Sequence, residues 1–387
     1  MIQYIKRYTK NFDFPLFITY MFLCLFGLVM IYSASMEWSV KIYDYEPDHF
    51  YKRQLINLLV AVPVFLIAAF IPYKHYRKKL VMIIMLVVMF SLLFGVHIFG
   101  EGVNGARSWL YIGPVRIQPS EVAKIIIILY FASVFANKEK NGNLNSINES
   151  IAPPVIVLII AFFSVLSEVD MGTAGIIFFV SLSVLAASGV RMKSFAKLFG
   201  IIFGLIVVCL PILYLLRDNF LTPKRITRLE AFLNPFEFEQ GSGFQVVNGY
   251  LAIGAGGLKG LGLGQSVQKL GYLPEPQTDF IMAIIAEELG VFGTFIVIGG
   301  LGFIVLRAFY IAMTAKDSQA RMIATGVGSI IGFQTFINLG GLLGLIPLTG
   351  VPLPFISYGG TSVVLLSLAM GILLNVSMFV KYEKTKI

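Results

Sequence analysis

What most restricts the fold of this chain is the return, again and again between Phe14 and Val380, of apolar stretches close to the length of a membrane span. A helix needs about 20 residues to cross the roughly 30 Å of a bilayer's hydrocarbon. The sequence therefore predicts an all-α, polytopic membrane protein. Ten spans are expected, at about 15–35, 54–71, 80–100, 119–136, 151–168, 172–189, 196–216, 279–306, 322–342 and 358–380. Composition agrees, because 57% of the 387 residues are hydrophobic and only 13% are charged, against about 25% charged in soluble proteins. No stretch is left for a separate soluble domain, so residues 1–387 read as one transmembrane domain with one long loop over about 217–278.

The formal net charge of +9 raises nucleic acid as a partner, but the placement of the cations removes it. An even number of spans puts both termini on one side. Eighteen Lys and Arg fall on that side, from Lys6 through Arg77, Lys140 and Lys316 to Lys386, and eleven fall opposite, six of them in the long loop; Lys124 lies within a span. Short loops carry the positive-inside signal and long ones do not. Both termini are therefore expected in the cytoplasm and the long loop outside, with no common cationic face for a nucleic acid. The first apolar run follows KRYTK without a small-residue cleavage site, which reads as a retained span. Cys24 and Cys209 sit inside apolar runs, and His49, His75 and His97 are scattered singly, so neither a disulfide framework nor a histidine metal site is indicated.

Polar residues at the ends of the spans are the candidates for chemistry. The aromatics of EWSVKIYDYEPDHFYKR, an acid-rich loop after the first span, read as interfacial anchors. Arg107, Trp109 and Arg116 follow the third span; a cation beside an indole suits a lipid with an anionic headgroup, and it also suits an ordinary interfacial belt. Glu121 and Lys124 enter the fourth span three residues apart, where pairing toward the bundle is the economical arrangement. Glu168 and Asp170 mark a tight turn, either solvated or lining a cavity.

In the long loop, Lys224, Arg225 and Arg228 fall on an amphipathic stretch suited to the headgroup layer. The run GAGGLKGLGLG has no parallel-sheet context, so its glycines point to close backbone approach or helix packing rather than to a nucleotide loop, with Lys259 and Lys269 as the usable charges. LPEPQTDF leads into the eighth span, which Thr278 or Asp279 can cap. Glu287 and Glu288 are adjacent inside that span, and at about 100° per residue at least one must face a cavity or a cation. Gln334 and Asn338 share a face of the ninth span and suggest interhelical hydrogen bonds. The segment GLIPLTGVPLPFISYGGTS holds irregular backbone that needs a protein or water-lined setting.

GARSW with QPSE, the DMGT turn, GSGFQVVNGYLAIGAGGLKGLGLGQSVQKLGYLPEPQTDFIMAIIAEELG and SYGGTS together resemble the SEDS family of cell-wall polymerases, FtsW, RodA and SpoVE. The likeness covers essentially the whole chain, and LTGVPLPFISYGGTS resembles the FtsW and SpoVE branch more than RodA. Two positions depart from the family pattern: Gln277 stands where many members have His, and Glu168-Val169 stands where Gln-Pro is common, followed by Met171 for Leu. The resemblance implies ten spans in a bacterial cytoplasmic membrane. It also implies polymerisation of lipid II, an undecaprenyl-pyrophosphoryl disaccharide-pentapeptide, on the outer face, in division or sporulation. Carried over to this sequence, Asp279 is the essential carboxylate and Trp109 an important outer-loop residue.

On that reading Asp279 is a general base, and the departing pyrophosphate calls for fixed cations, with Arg107, Lys224, Arg225, Arg228, Lys259 and Lys269 as the pool. A divalent ion, Mg or Mn, bridging Asp279 or Glu275 to pyrophosphate is the one cofactor envisaged. Glu121, Lys124, Asp170, Glu287 and Glu288 are expected to be structural or to line a polar cavity. Crosslinking would fall to a partner, a class B penicillin-binding protein, among other division proteins. Two rival readings are a lipid II flippase and a non-catalytic scaffold.

Overall fold

The computed structural model describes residues 10–103, 106–113, 115–146, 150–191, 193–194, 196–197, 230, 232–241 and 243–385. Its helices are α1 (Phe14–Tyr43), α2 (His49–Phe70), α3 (Lys79–Phe99), α4 (Pro119–Lys140), α5 (Ala152–Ser167), α6 (Met171–Ala187), α7 (Phe244–Gly256), α8 (Ile281–Thr314), α9 (Ser318–Leu342) and α10 (Gly360–Thr385). Among the described residues seven helices are long and apolar enough to cross a membrane, and α5 and α6 are shorter apolar helices. Nine of the expected spans therefore have a counterpart. The remaining one, 196–216, lies outside the described residues beyond 197. α7 belongs to the long loop.

Proline opens α1 and α4, in the first turn, where its missing N–H has no helical partner to lose. α4, α9 and α10 are buried along most of their length, whereas α3 turns most of its apolar side chains outward. α9 packs among α4, α6 and α8, and α10 lies along α2. Tyr20 of α1 ties these layers together: its ring stacks on Phe65 of α2 at 5.0 Å, and its hydroxyl donates to Ser367 Oγ of α10 at 2.6 Å.

One end of the bundle gathers both described ends of the chain. Asp13, fully buried, accepts from Arg307 Nη2 at 2.9 Å and from Ser377 Oγ at 2.6 Å, with Lys381 Nζ at 3.2 Å. Arg77 pairs with Asp317 at 2.5 Å beside them in the fold's connecting turns. Glu383, near the end of α10, faces Lys74 at 3.8 Å.

At the distal end, the segment read from sequence only as a loop forms a three-stranded antiparallel sheet: β1 (Glu101–Val103), β2 (Ala106–Ile112) and β3 (Val115–Ile117). Tyr111 pairs with Arg116 and Leu110 with Ile117 across a turn at Gly113. Strands this short leave little alternation to read.

α8 is broken at Gly290, where φ is 61° and ψ −149°. The break takes the Glu287 and Glu288 carbonyls out of the helical ladder, and the glycine run of the long loop supplies replacement donors. Leu261 and Gly262 N–H donate to those two carbonyls at 2.9 Å each, and Val291 N–H donates to the Leu258 carbonyl at 3.3 Å. Close approach explains the glycines: a Cβ on Gly290 would lie 2.6 Å from the Leu258 oxygen, and one on Gly260 would collide with the Glu288 carbonyl.

Candidate active site

α8 starts at Ile281 with Phe280 in the capping position, so neither Thr278 nor Asp279 is taken up as its cap. The residues before it form a tight turn instead. Thr278 N–H donates to the Glu275 carbonyl at 3.1 Å, and Thr278 Oγ1 lies 2.8 Å from that carbonyl and 2.9 Å from Asp279 Oδ1. Three outside groups pin the turn. Asn338 Nδ2 of α9 donates to the Asp279 carbonyl at 2.8 Å, Tyr358 N–H to the Gln277 carbonyl at 2.8 Å, and Ser357 Oγ to the Thr278 carbonyl at 2.5 Å. The backbone of the turn is thus fixed from α9 and from the proline-rich segment, and Asp279 is left half-buried at its tip.

Glu275 opens the turn from a left-handed backbone, φ 44°, a conformation that costs a non-glycine residue of order 1–3 kcal/mol. Burial raises its carboxyl above the ordinary 4.5, and the Asp279 carboxylate adds to the rise, while a hydrogen bond from Tyr43 and the charge of Arg116 act the other way. Arg116 itself sits over Trp109, its guanidinium carbon 3.9 Å from the ring centroid. Its Nε is buried and has no acceptor. Arg53, exposed, hydrogen-bonds Tyr358, whose ring meets Phe50 edge-on at 5.0 Å. Two carboxylates, two arginines and an indole thus converge where α1, α2, the sheet and the start of α8 meet.

The sequence-predicted residues divide sharply against this geometry. Asp279, Glu275 and Trp109 belong to the site. Lys269 does not: it is buried and paired with Glu288 at 2.7 Å, with Ser33 Oγ of α1 at 3.2 Å, so its charge is not available to a substrate. Lys259 is exposed but sits where the loop docks at Gly290, roughly 13 Å along α8 from its start. Lys224, Arg225 and Arg228 lie outside the described residues, and Arg107 is described only by its backbone in β2, opposite Gly102. Glu287 and Glu288 line no open cavity; Glu287 accepts from Ser266 Oγ and from Val267 N–H at 2.9 Å, and Glu288 faces its cation. Tyr43, expected as an interfacial anchor, and Arg53, to which the sequence assigned no role, both reach the site. No local signal marked them, because their partners stand more than two hundred residues away in the chain.

A second polar cluster lies beside the first. Lys124 Nζ donates to Glu121 Oε1 at 2.7 Å and to Gln334 Oε1 at 3.4 Å, and Ser362 Oγ donates to the other Glu121 oxygen at 3.1 Å. Asp170 caps α6 by accepting from Thr173 N–H at 2.9 Å, and it accepts from Gln118 Nε2 at 3.0 Å. Gln334 and Asn338, one turn apart on α9, link this cluster to the Asp279 turn, as their shared face suggested.

The family described as cell cycle protein, comprising FtsW, RodA and SpoVE, matches residues 14–382. Over 384 residues the chain is 44% identical to a probable peptidoglycan glycosyltransferase FtsW of Bacillus subtilis (strain 168), covering 99% of this chain and 94% of that protein. Stage V sporulation protein E of the same organism is 38% identical over 379 residues, 96% and 98% of the two chains. Among solved structures, a chain from a peptidoglycan synthase complex that coordinates polymerization and crosslinking superposes with a TM-score of 0.72 at 24% identity, covering 95% and 97% of the two chains. The Thermus thermophilus rod shape determining protein RodA superposes at 0.64 with 22% identity, covering 95% and 96%. At these identities the two structures bear on the fold alone.

Proposed function

This chain belongs to the FtsW, RodA and SpoVE family of cell cycle proteins, and from that membership we propose that it is a peptidoglycan glycosyltransferase. It polymerises lipid II into glycan strands at the outer face of a bacterial cytoplasmic membrane, for the septal wall of division or sporulation. The observation that carries this reading is the pinned Glu275–Asp279 turn, in which Asp279 is not the cap of α8 and Glu275 feels both the Asp279 carboxylate and the charge of Arg116, itself stacked over Trp109.

Asp279 takes the proton of the acceptor's GlcNAc 4-hydroxyl as that oxygen attacks the donor's MurNAc anomeric carbon. Undecaprenyl pyrophosphate departs with the bonding pair, and the anomeric configuration inverts. One base suffices because the donor already carries a good leaving group. Positioned general bases contribute about 10²–10⁴-fold, and the fixed backbone of the turn lets Asp279 act without reorganising first. The growing negative charge on pyrophosphate calls for cations already in place. Arg116 and Arg53 fill that role at this end of the bundle.

Among the described residues no three His, Cys, Asp or Glu side chains converge to hold a metal ion. A Mg or Mn ion would therefore rest on Asp279 or Glu275 and draw its remaining ligands from the substrate and water, consistent with the habit of Mg to keep several waters. Both termini face the cytoplasm, in keeping with the excess of Lys and Arg at the end that holds Asp13 and Lys381. Crosslinking falls to a class B penicillin-binding protein, a reading supported by the likeness in fold to a chain from a synthase complex that coordinates polymerization and crosslinking.

Purified protein in vesicles with fluorescent lipid II, with and without its class B partner, tests the reading. Glycan ladders are expected. Exchange of lipid II between leaflets without polymer would favour a flippase instead, and neither polymer nor exchange would favour a scaffold.

A further inference from the structure

Far from the Asp279 turn, at the end that gathers both described chain ends, three elements line an open, shallow cavity of about 260 Å³. Arg77 comes from the short helical turn between α2 and α3, Glu139 and Lys140 from the last turn of α4, and Lys316, Asp317 and Ser318 from the α8–α9 connection. Arg77 is held in place by its ion pair with Asp317 at 2.5 Å, and Asn137 Nδ2 donates to the Arg77 carbonyl at 3.3 Å. Asp317 is doubly occupied, since it also accepts from Ala320 N–H at 3.3 Å as the cap of α9.

What remains in the cavity is a set of donors in search of an acceptor. Arg77 Nε is buried with no partner. Lys140 and Lys316 are exposed and carry no hydrogen bond or ion pair among the described residues. Three cations against two carboxylates leave a net charge of +1, which a single phosphodiester balances. The first turn of α9 opens on the same space with Ser318, and a helix N-terminus favours an anion. Lys78 and Lys79 at the start of α3 stand at the same level, exposed, as residues at a headgroup layer do.

We propose that this cavity binds the phosphate of an acidic glycerophospholipid, a headgroup drawn in between Arg77, Lys140 and Lys316. Basic pockets between helices on the cytoplasmic side are suited to such headgroups, and a lipid held there would bridge α4, the α8–α9 turn and the turn before α3. The site is separate from the one at which sugar is joined, and it stands or falls independently of that chemistry.

Native mass spectrometry of the full chain, released from detergent after incubation with equal amounts of phosphatidylglycerol, phosphatidylethanolamine and phosphatidylcholine, tests the proposal. Wild-type protein is expected to retain one phosphatidylglycerol in preference to the other two. Lys140→Gln with Lys316→Gln should weaken that retention roughly tenfold or more, with an unchanged unfolding temperature. Lys78→Gln with Lys79→Gln removes the same charge outside the cavity and should leave retention intact. Equal loss in both double variants, equal retention of the three lipids, no loss in the cavity variant, or displacement of the lipid by inorganic phosphate at matching concentration would each overturn it.

Discussion

Glu275 is the residue whose surroundings say most about the site. Its backbone is left-handed, its carboxyl is raised by burial first and by Asp279 second, and Tyr43 and Arg116 only partly offset those effects. For a carboxyl whose folded-state pKa lies above its unfolded value, the uncharged form is the one the fold prefers. The stability it contributes is complete below the unfolded value, near 4.5, and is lost as pH rises through the raised value. Glu275→Gln, which keeps the uncharged shape, should therefore unfold at a higher temperature than wild type at about pH 8 and at the same temperature at about pH 4. A variant less stable than wild type at the higher pH would contradict that assignment. Asp279 was legible in the sequence because LPEPQTDF is a specific motif, and its release from capping duty was not. Whether Asp279 caps the helix depends on where α8 begins, two residues later than Asp279.

At the scale of elements, the broken α8 and the glycine run of the long loop form one unit. Lys269 and Glu288 close it with a buried ion pair that also takes in Ser33 of α1. Removing one partner of such a pair strands a charge and costs about 3–5 kcal/mol, whereas replacing both with apolar groups is often neutral. Lys269→Met alone is expected to lower the unfolding temperature steeply, and Lys269→Met together with Glu288→Leu to recover most of the loss. If the double variant were as unstable as the single one, the pair would not be what holds the loop. Gly290→Ala should be among the most damaging single changes, because a side chain there meets both a positive φ and the Leu258 oxygen; recovery of folded protein from membranes reads this out. The sequence showed that at least one of Glu287 and Glu288 needed a cavity or a cation, and that the glycines suited close approach or helix packing. It could not show that they answer the same break in α8, since apolar residues resume directly on both sides of Gly290 and nothing local marks the helix as ending there.

At the scale of the whole molecule, hydropathy and charge placement were enough to read a helical membrane protein and most of its spans, since both follow from the cost of putting polar groups in hydrocarbon. The three-stranded sheet and the convergence of Tyr43, Arg53, Trp109 and Asp279 depend on contacts between segments far apart in the chain, for which a single sequence carries no periodic signal. Two ends follow from the fold. One holds Asp13, Arg77, Lys316 and Lys381, and the other holds the Asp279 turn. In a background without Cys24 and Cys209, Lys384→Cys should react with an impermeant thiol reagent only from the cytoplasmic side, and Lys259→Cys only from outside; the reverse pattern would place the turn in the wrong compartment for its substrate. The most direct test of the central claim is the rate of glycan synthesis from lipid II by purified protein bearing Asp279→Asn, bound to its class B partner. The account predicts a loss of about a hundredfold or more against wild type, with folding and partner binding retained, and glycan formed at the wild-type rate would contradict it.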